Sequence, residues 1–98
     1  MIYVVATVNI HVGKRAAFLA GARAVIAATV KEAGCVSYDL HESITHPQRF
    51  VFVERWETRE ALGAHCKAPH LGDWRKVGAE AVIDRVVEIV HADKIETL

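Results

Sequence analysis

The sequence predicts an α+β fold built on a four-stranded antiparallel sheet with its helices gathered on one face. Three observations predict it. Between Gly34 and Trp56 two runs alternate with period 2 around a polar segment holding Pro47, the pattern of an antiparallel hairpin. Each end of the chain carries a Val/Ile-rich stretch of strand length. In the two intervening stretches, apolar residues recur at helical spacing.

The first strand is expected over Met1 to His11. Ile2, Val4, Ala6, Val8 and Ile10 form a wholly apolar row, and Tyr3, Val5, Thr7, Asn9 and His11 form one that becomes polar toward its end. Gly13 then punctuates the chain. Lys14 to Ala33 reads as a helix carrying Phe18, Leu19, Ala22, Val25, Ile26 and Val30, closed by Gly34. In the hairpin, Val36, Tyr38 and Leu40 share one face of the second strand, and Phe50, Phe52, Glu54 and Trp56 share one face of the third. Thr58 suits the N-cap of a short helix from Arg59 to Cys66. Pro69 suits the first turn of a further helical segment, so the chain should bend near Ala68 and run helically through Trp74 to about Ala79. Ala81 to Ala92 is β-branched and reads as the last strand.

The order strand, helix, strand, strand, helix, strand makes two β-α-β units joined by a hairpin, which is the ferredoxin-like arrangement. Helices on one face leave the other bare. That bare face would carry Val51 and Val53, so a second copy of the chain is expected to cover it.

At 98 residues with no linker, repeat or low-complexity segment, residues 1–98 are expected to form one domain. Lysines and arginines balance acids at 12 each, and no basic run exceeds two residues, which argues against nucleic acid or an anionic membrane as partner. Ala16 to Val30 is too short and too interrupted to span a bilayer, and no basic segment precedes an apolar one at the start. The expected location is the cytoplasm. Cys35 and Cys66 form no CxxC pair and fit reduced thiols.

The run GCVSYDLHES followed by RFVFVERWETREALGAHCKAPH resembles the antibiotic biosynthesis monooxygenase domain family. Four elements carry the resemblance: Gly34-Cys35, Tyr38-Asp39, Glu54-Arg55-Trp56-Glu57, and Ala64-His65 through Pro69-His70. It implies a dimeric α/β barrel and cofactor-free oxidation of a small aromatic or quinol-type substrate by dioxygen. It also implies that Trp56 borders the cavity. Two relatives in the wider superfamily offer alternatives. Where the haem-degrading branch uses asparagine, tryptophan and histidine, this chain has Ala6, His65 and Arg75, which does not fit that chemistry. The branch that isomerises the phosphorylated form of autoinducer-2 stays open, with Arg49, Arg55 or Lys67 available to a phosphate. A binding or stress-response module without turnover is the third alternative.

Individual residues give the chemistry its candidates. Glu54 lies between Phe52 and Trp56, so it is either a desolvated carboxylate able to accept a proton near neutrality or a charge paired with an arginine or histidine. His65 is the second candidate for acid–base work. Tyr38, Phe52 and Leu62 are expected to line the pocket, and Trp56 is either its wall or part of the core. His70 stands at the mouth or caps the following helix, and Asn9 offers an amide to a substrate oxygen or satisfies backbone groups near Gly13. His65 and His70 are five apart, about 140° around an unbroken helix, and no third ligand is evident, so no metal site is expected unless the chain breaks at Pro69. There is no glycine-rich phosphate cradle and no nucleophile elbow, and no cofactor is expected.

Overall fold

The structure, a computed structural model, describes residues 1–98. Its elements run β1 (Ile2–Ile10), α1 (Arg15–Thr29), β2 (Cys35–Glu42), β3 (Arg49–Trp56), α2 (Arg59–Cys66), α3 (His70–Ala81) and β4 (Val82–His91). The strands form one sheet in the order β2-β3-β1-β4, every neighbouring pair antiparallel. This is the ferredoxin-like arrangement expected from the pattern, with the second helical stretch divided in two at Pro69.

The apolar row of β1 faces the helices. Ile2, Val4, Ala6, Val8 and Ile10 are all buried, and they meet Phe50, Phe52 and Trp56 of β3 and Phe18, Ala22 and Val25 of α1 in one core. Phe18 packs against Phe50 and Trp74 at centroid distances of 4.9 and 5.4 Å, which ties α1, β3 and α3 together. Helices α1 and α3 approach closely because Gly21 has no side chain: a Cβ there would lie 2.8 Å from Val77 Cγ2.

Helix α1 stops at Thr29, four residues short of the expected Ala33. Beyond it the backbone tightens into short-range bonds, Lys31 N–H to Ala28 O, Glu32 N–H to Thr29 O and Cys35 N–H to Glu32 O. The turn ends at Gly34, whose φ of +82° suits a residue without Cβ. Its effect is to lift Glu32 off the helix axis. A second departure lies at the start of β2. The register shifts between Cys35 and Ser37, leaving Val36 as the extra residue of a bulge, so it points out to solvent instead of joining Tyr38 and Leu40.

The expected caps and bends are present. The Thr58 hydroxyl accepts from Ala61 N–H at 3.1 Å, and α2 gives way at Lys67–Pro69 to α3 on a new axis. Strand β4 pairs with β1 along its length but is covered on neither face: Val86, Val87, Ile89 and Val90 are 62, 54, 41 and 47 % exposed. No helix is long and apolar enough to cross a membrane.

Candidate functional site

Between the sheet and helices α2 and α3 lies a cavity of about 230 Å³. Its floor is the helix-facing row of β1, Val4, Ala6 and Val8, extended by Phe52 and Glu54 of β3, Tyr38 of β2 and Val87 of β4. Leu62 and His65 of α2 and Leu71 and Trp74 of α3 form the roof, and Arg75 and Arg85 stand at the remaining side. Five of the residues expected there from sequence therefore do converge: Tyr38, Phe52, Glu54, Leu62 and His65.

Glu54 is 5 % exposed, opposite Tyr38 in the sheet register and on the same face of β3 as Phe52 and Trp56. Its Oε1 accepts from Trp56 Nε1–H at 3.0 Å. No side-chain nitrogen or oxygen in the molecule is buried without a partner, and the other carboxylate oxygen has none in the protein, so that oxygen is open to the cavity. Burial pushes the carboxyl up to about 7. The indole hydrogen bond opposes that rise, and the charge of Glu32 adds to it. At neutral pH this group is poised between acid and base.

His65 is held from three sides. Its ring lies 4.8 Å from that of Trp56 and 5.4 Å from that of Tyr38 by centroid, and its Nδ1 is 2.7 Å from Glu32 Oε2. With Nδ1 engaged by that carboxylate, Nε2 is the ring nitrogen that His65, a residue of the cavity wall, has left for a bound molecule. Tyr38 is the third polar group on the wall. Burial, reinforced by the charge of Glu54, pushes its phenol far above the ordinary range, so it stays a neutral donor.

Three expected residues lie elsewhere, each for a local reason. Asn9 belongs to the row of β1 that faces away from the helices. It donates to Asp84 Oδ1 at 2.7 Å and accepts from Arg49 Nε at 3.1 Å on the opposite sheet face. Trp56 is fully buried behind Glu54 and His65 and supports them without reaching the cavity. His70 opens α3 on the far side of His65, where its Nε2 meets Glu32 Oε2 at 2.9 Å and Thr29 Oγ1 at 3.3 Å. The expected phosphate contacts are also displaced: Arg49 is tied to Asn9, and Arg55 lies over the Tyr3 ring, both on the opposite face.

The break at Pro69 removes the angular objection to a shared ligand for His65 and His70. Both reach Glu32, and the three ligand atoms lie within 4.8 Å of one another, the grouping in this chain that could hold a cation. Glu32 was missed from sequence because it sits in a turn, where no period marks it. Arg85 left a legible sign, a lone cation in the row that also holds Val87 and Ile89.

The model of the family described as antibiotic biosynthesis monooxygenase matches residues 1–77. Among known proteins, YcnE of Bacillus subtilis, named as a candidate monooxygenase, is 26 % identical over 96 residues, covering 98 % of this chain and all of that protein. An uncharacterised protein of Synechocystis is 30 % identical over 73 residues, 74 % of this chain but only half of its own length. Among solved structures, a candidate antibiotic biosynthesis monooxygenase from Nitrosomonas europaea superposes with a TM-score of 0.89 at 25 % identity, covering 96 % of this chain and all of that one.

Proposed function

Since the chain belongs to the antibiotic biosynthesis monooxygenase family, we propose that it oxidises a small planar phenol or hydroquinone with dioxygen and without a bound cofactor. The observation that carries this reading is a carboxylate of raised pKa, Glu54, opening with His65 onto an otherwise apolar cavity. A hydroquinone gives up its phenolic proton to Glu54 or to His65 Nε2, and the electron-rich phenolate then transfers an electron to dioxygen. The apolar wall excludes water from that step, and the Tyr38 hydroxyl supplies a fixed donor to a developing oxyanion. At about 230 Å³ the cavity is smaller than the roughly 300–1,000 Å³ of drug-sized sites, which favours one or two fused rings.

Oxygen uptake by metal-free, flavin-free protein on adding a panel of hydroquinones tests the reading. Uptake should exceed the protein-free rate and fall at least ~100-fold in Glu54→Gln and in His65→Ala, the range expected for removing a general base. Uptake at the protein-free rate throughout the panel would sink it.

The working form in this reading is a homodimer. It is supported by the bare face of the sheet, where the apolar side chains of Val5, Val51, Val53, Val86 and Val90 lie side by side across three strands. A second copy packed there would satisfy them and leave the cavity on the outer, helical side.

A further inference from the structure

We infer that the substrate side of the cavity contains an anion subsite formed by Arg75 and Arg85, and that the molecule it takes is an aromatic acid: a phenol or hydroquinone bearing a carboxylate on its far edge. This rests on the proposed reading of the cavity and names the substrate class within it.

Arg85 stands in the helix-facing row of β4 beside Val87 and Ile89, opposite the buried Val8 of β1. Its side chain is exposed at the edge of the cavity, and no group of the protein pairs with it. The three ion pairs of the chain join Arg15 to Glu42 and Glu32 to His65 and His70, and Arg85 makes no side-chain hydrogen bond. Arg75 comes to the same side from α3. Its Nη2 donates to the Cys66 carbonyl at 2.7 Å, which holds the guanidinium between α2 and α3 and leaves its other donors free. Arg85 Nη1 passes 3.7 Å from where a Cβ of Gly78 would stand, one turn beyond Arg75, so the two cations share one side of the cavity. Both are exposed, so solvent screens their mutual repulsion, and an anion seated at this edge of the cavity would gain charge-assisted hydrogen bonds from the two guanidinium groups.

The register sets the anion subsite apart from the base. Glu54 pairs with Val4 and Arg85 with Val8, on opposite sides of β1. Two strand spacings across and four residues along separate their Cα atoms by roughly 16 Å, and both side chains reach inward from those points. A two-ring acid spans such a gap with its hydroxyl at Glu54 and its carboxylate at the arginines. A sugar phosphate would satisfy the arginines too, but its hydroxyls would face Val4, Ala6, Val8 and Val87 without partners.

The test uses equilibrium binding of molecules that cannot be oxidised in this way, so it does not depend on turnover. Calorimetric titration of the intact protein should show 2-naphthoate binding about tenfold tighter than 2-naphthamide at low ionic strength. Salt should shrink that ratio toward one. Arg85→Gln and Arg75→Gln should each abolish most of the preference while leaving naphthamide affinity within about twofold, which also shows that the cavity persists. Arg85→Lys should keep part of the preference. Equal affinity for the two ligands in the unaltered protein, absence of binding by both, or equal loss of both in the glutamine variants would overturn the inference. So would ribose 5-phosphate displacing naphthoate at comparable concentration. Failure of oxygen uptake alongside a clear carboxylate preference would count against the oxygenase reading alone.

Discussion

Glu54 is costly to keep charged, and the cost sets a sign. Its carboxyl rises from an ordinary value of 4.5 to about 7 in the fold, chiefly through burial. Between those values the native state holds a proton that the unfolded chain gives up. The contribution of this group to stability is therefore intact below pH 4.5 and is lost as pH rises through about 7. The loss is at most about 3 kcal/mol. Glu54→Gln keeps the acceptor for Trp56 and cannot ionise, so urea titrations should find it gaining on the unaltered protein as pH rises across that window. Turnover should move the other way: kcat/KM of the unaltered protein should climb through pH about 7 as the base forms. At this scale the site was partly legible. Period 2 alone set Tyr38, Phe52 and Glu54 on the helix side, and it also set Asn9 on the other row of β1, where the structure places it. Glu32 was not legible, because only the folded turn brings it under His65.

The turn from α1 into β2 decides where His65 sits. Gly34 adopts a φ of +82°, and a Cβ there would lie 2.5 Å from the Cβ of Ala61 on α2. Gly34→Ala should destabilise the protein by roughly 2 kcal/mol or more, from backbone strain and overlap together. Adding Ala61→Gly should restore part of that loss, the overlap portion alone, in a double-mutant cycle followed by thermal unfolding. Thr58→Ala should cost about 1 kcal/mol by removing the cap of α2. Elements were the most legible level, since the hairpin, the cap and the bend at Pro69 all follow from side-chain chemistry adjacent in sequence. The early end of α1 was not. Val30 and Ala33 continue an apolar helical pattern, while tertiary packing around Gly34 demands that the chain leave the helix. The Val36 bulge was hidden for the same reason, because alternation records faces and not insertions.

For the molecule as a whole, the bare sheet face and β4 govern behaviour in solution. If a second copy covers that face, Val86→Asp should convert a dimer to a monomer in sedimentation velocity and lower thermal stability. A monomeric unaltered protein at micromolar concentration would contradict the pairing. Ordinary surface sites would show no comparable effect.

The central strand β1 finds both of its neighbours late in the sequence, and Asn9 meets Asp84 across 75 positions. The stretch that matches the family, residues 1–77, stops before β4 begins. A nascent chain carrying every recognisable signature would thus emerge from the ribosome with the strand at the middle of its sheet still an open edge. Strand β4, made after every other element of the sheet, completes the hydrogen bonding of β1, made before them, so the sheet cannot close until residues 82–91 have emerged.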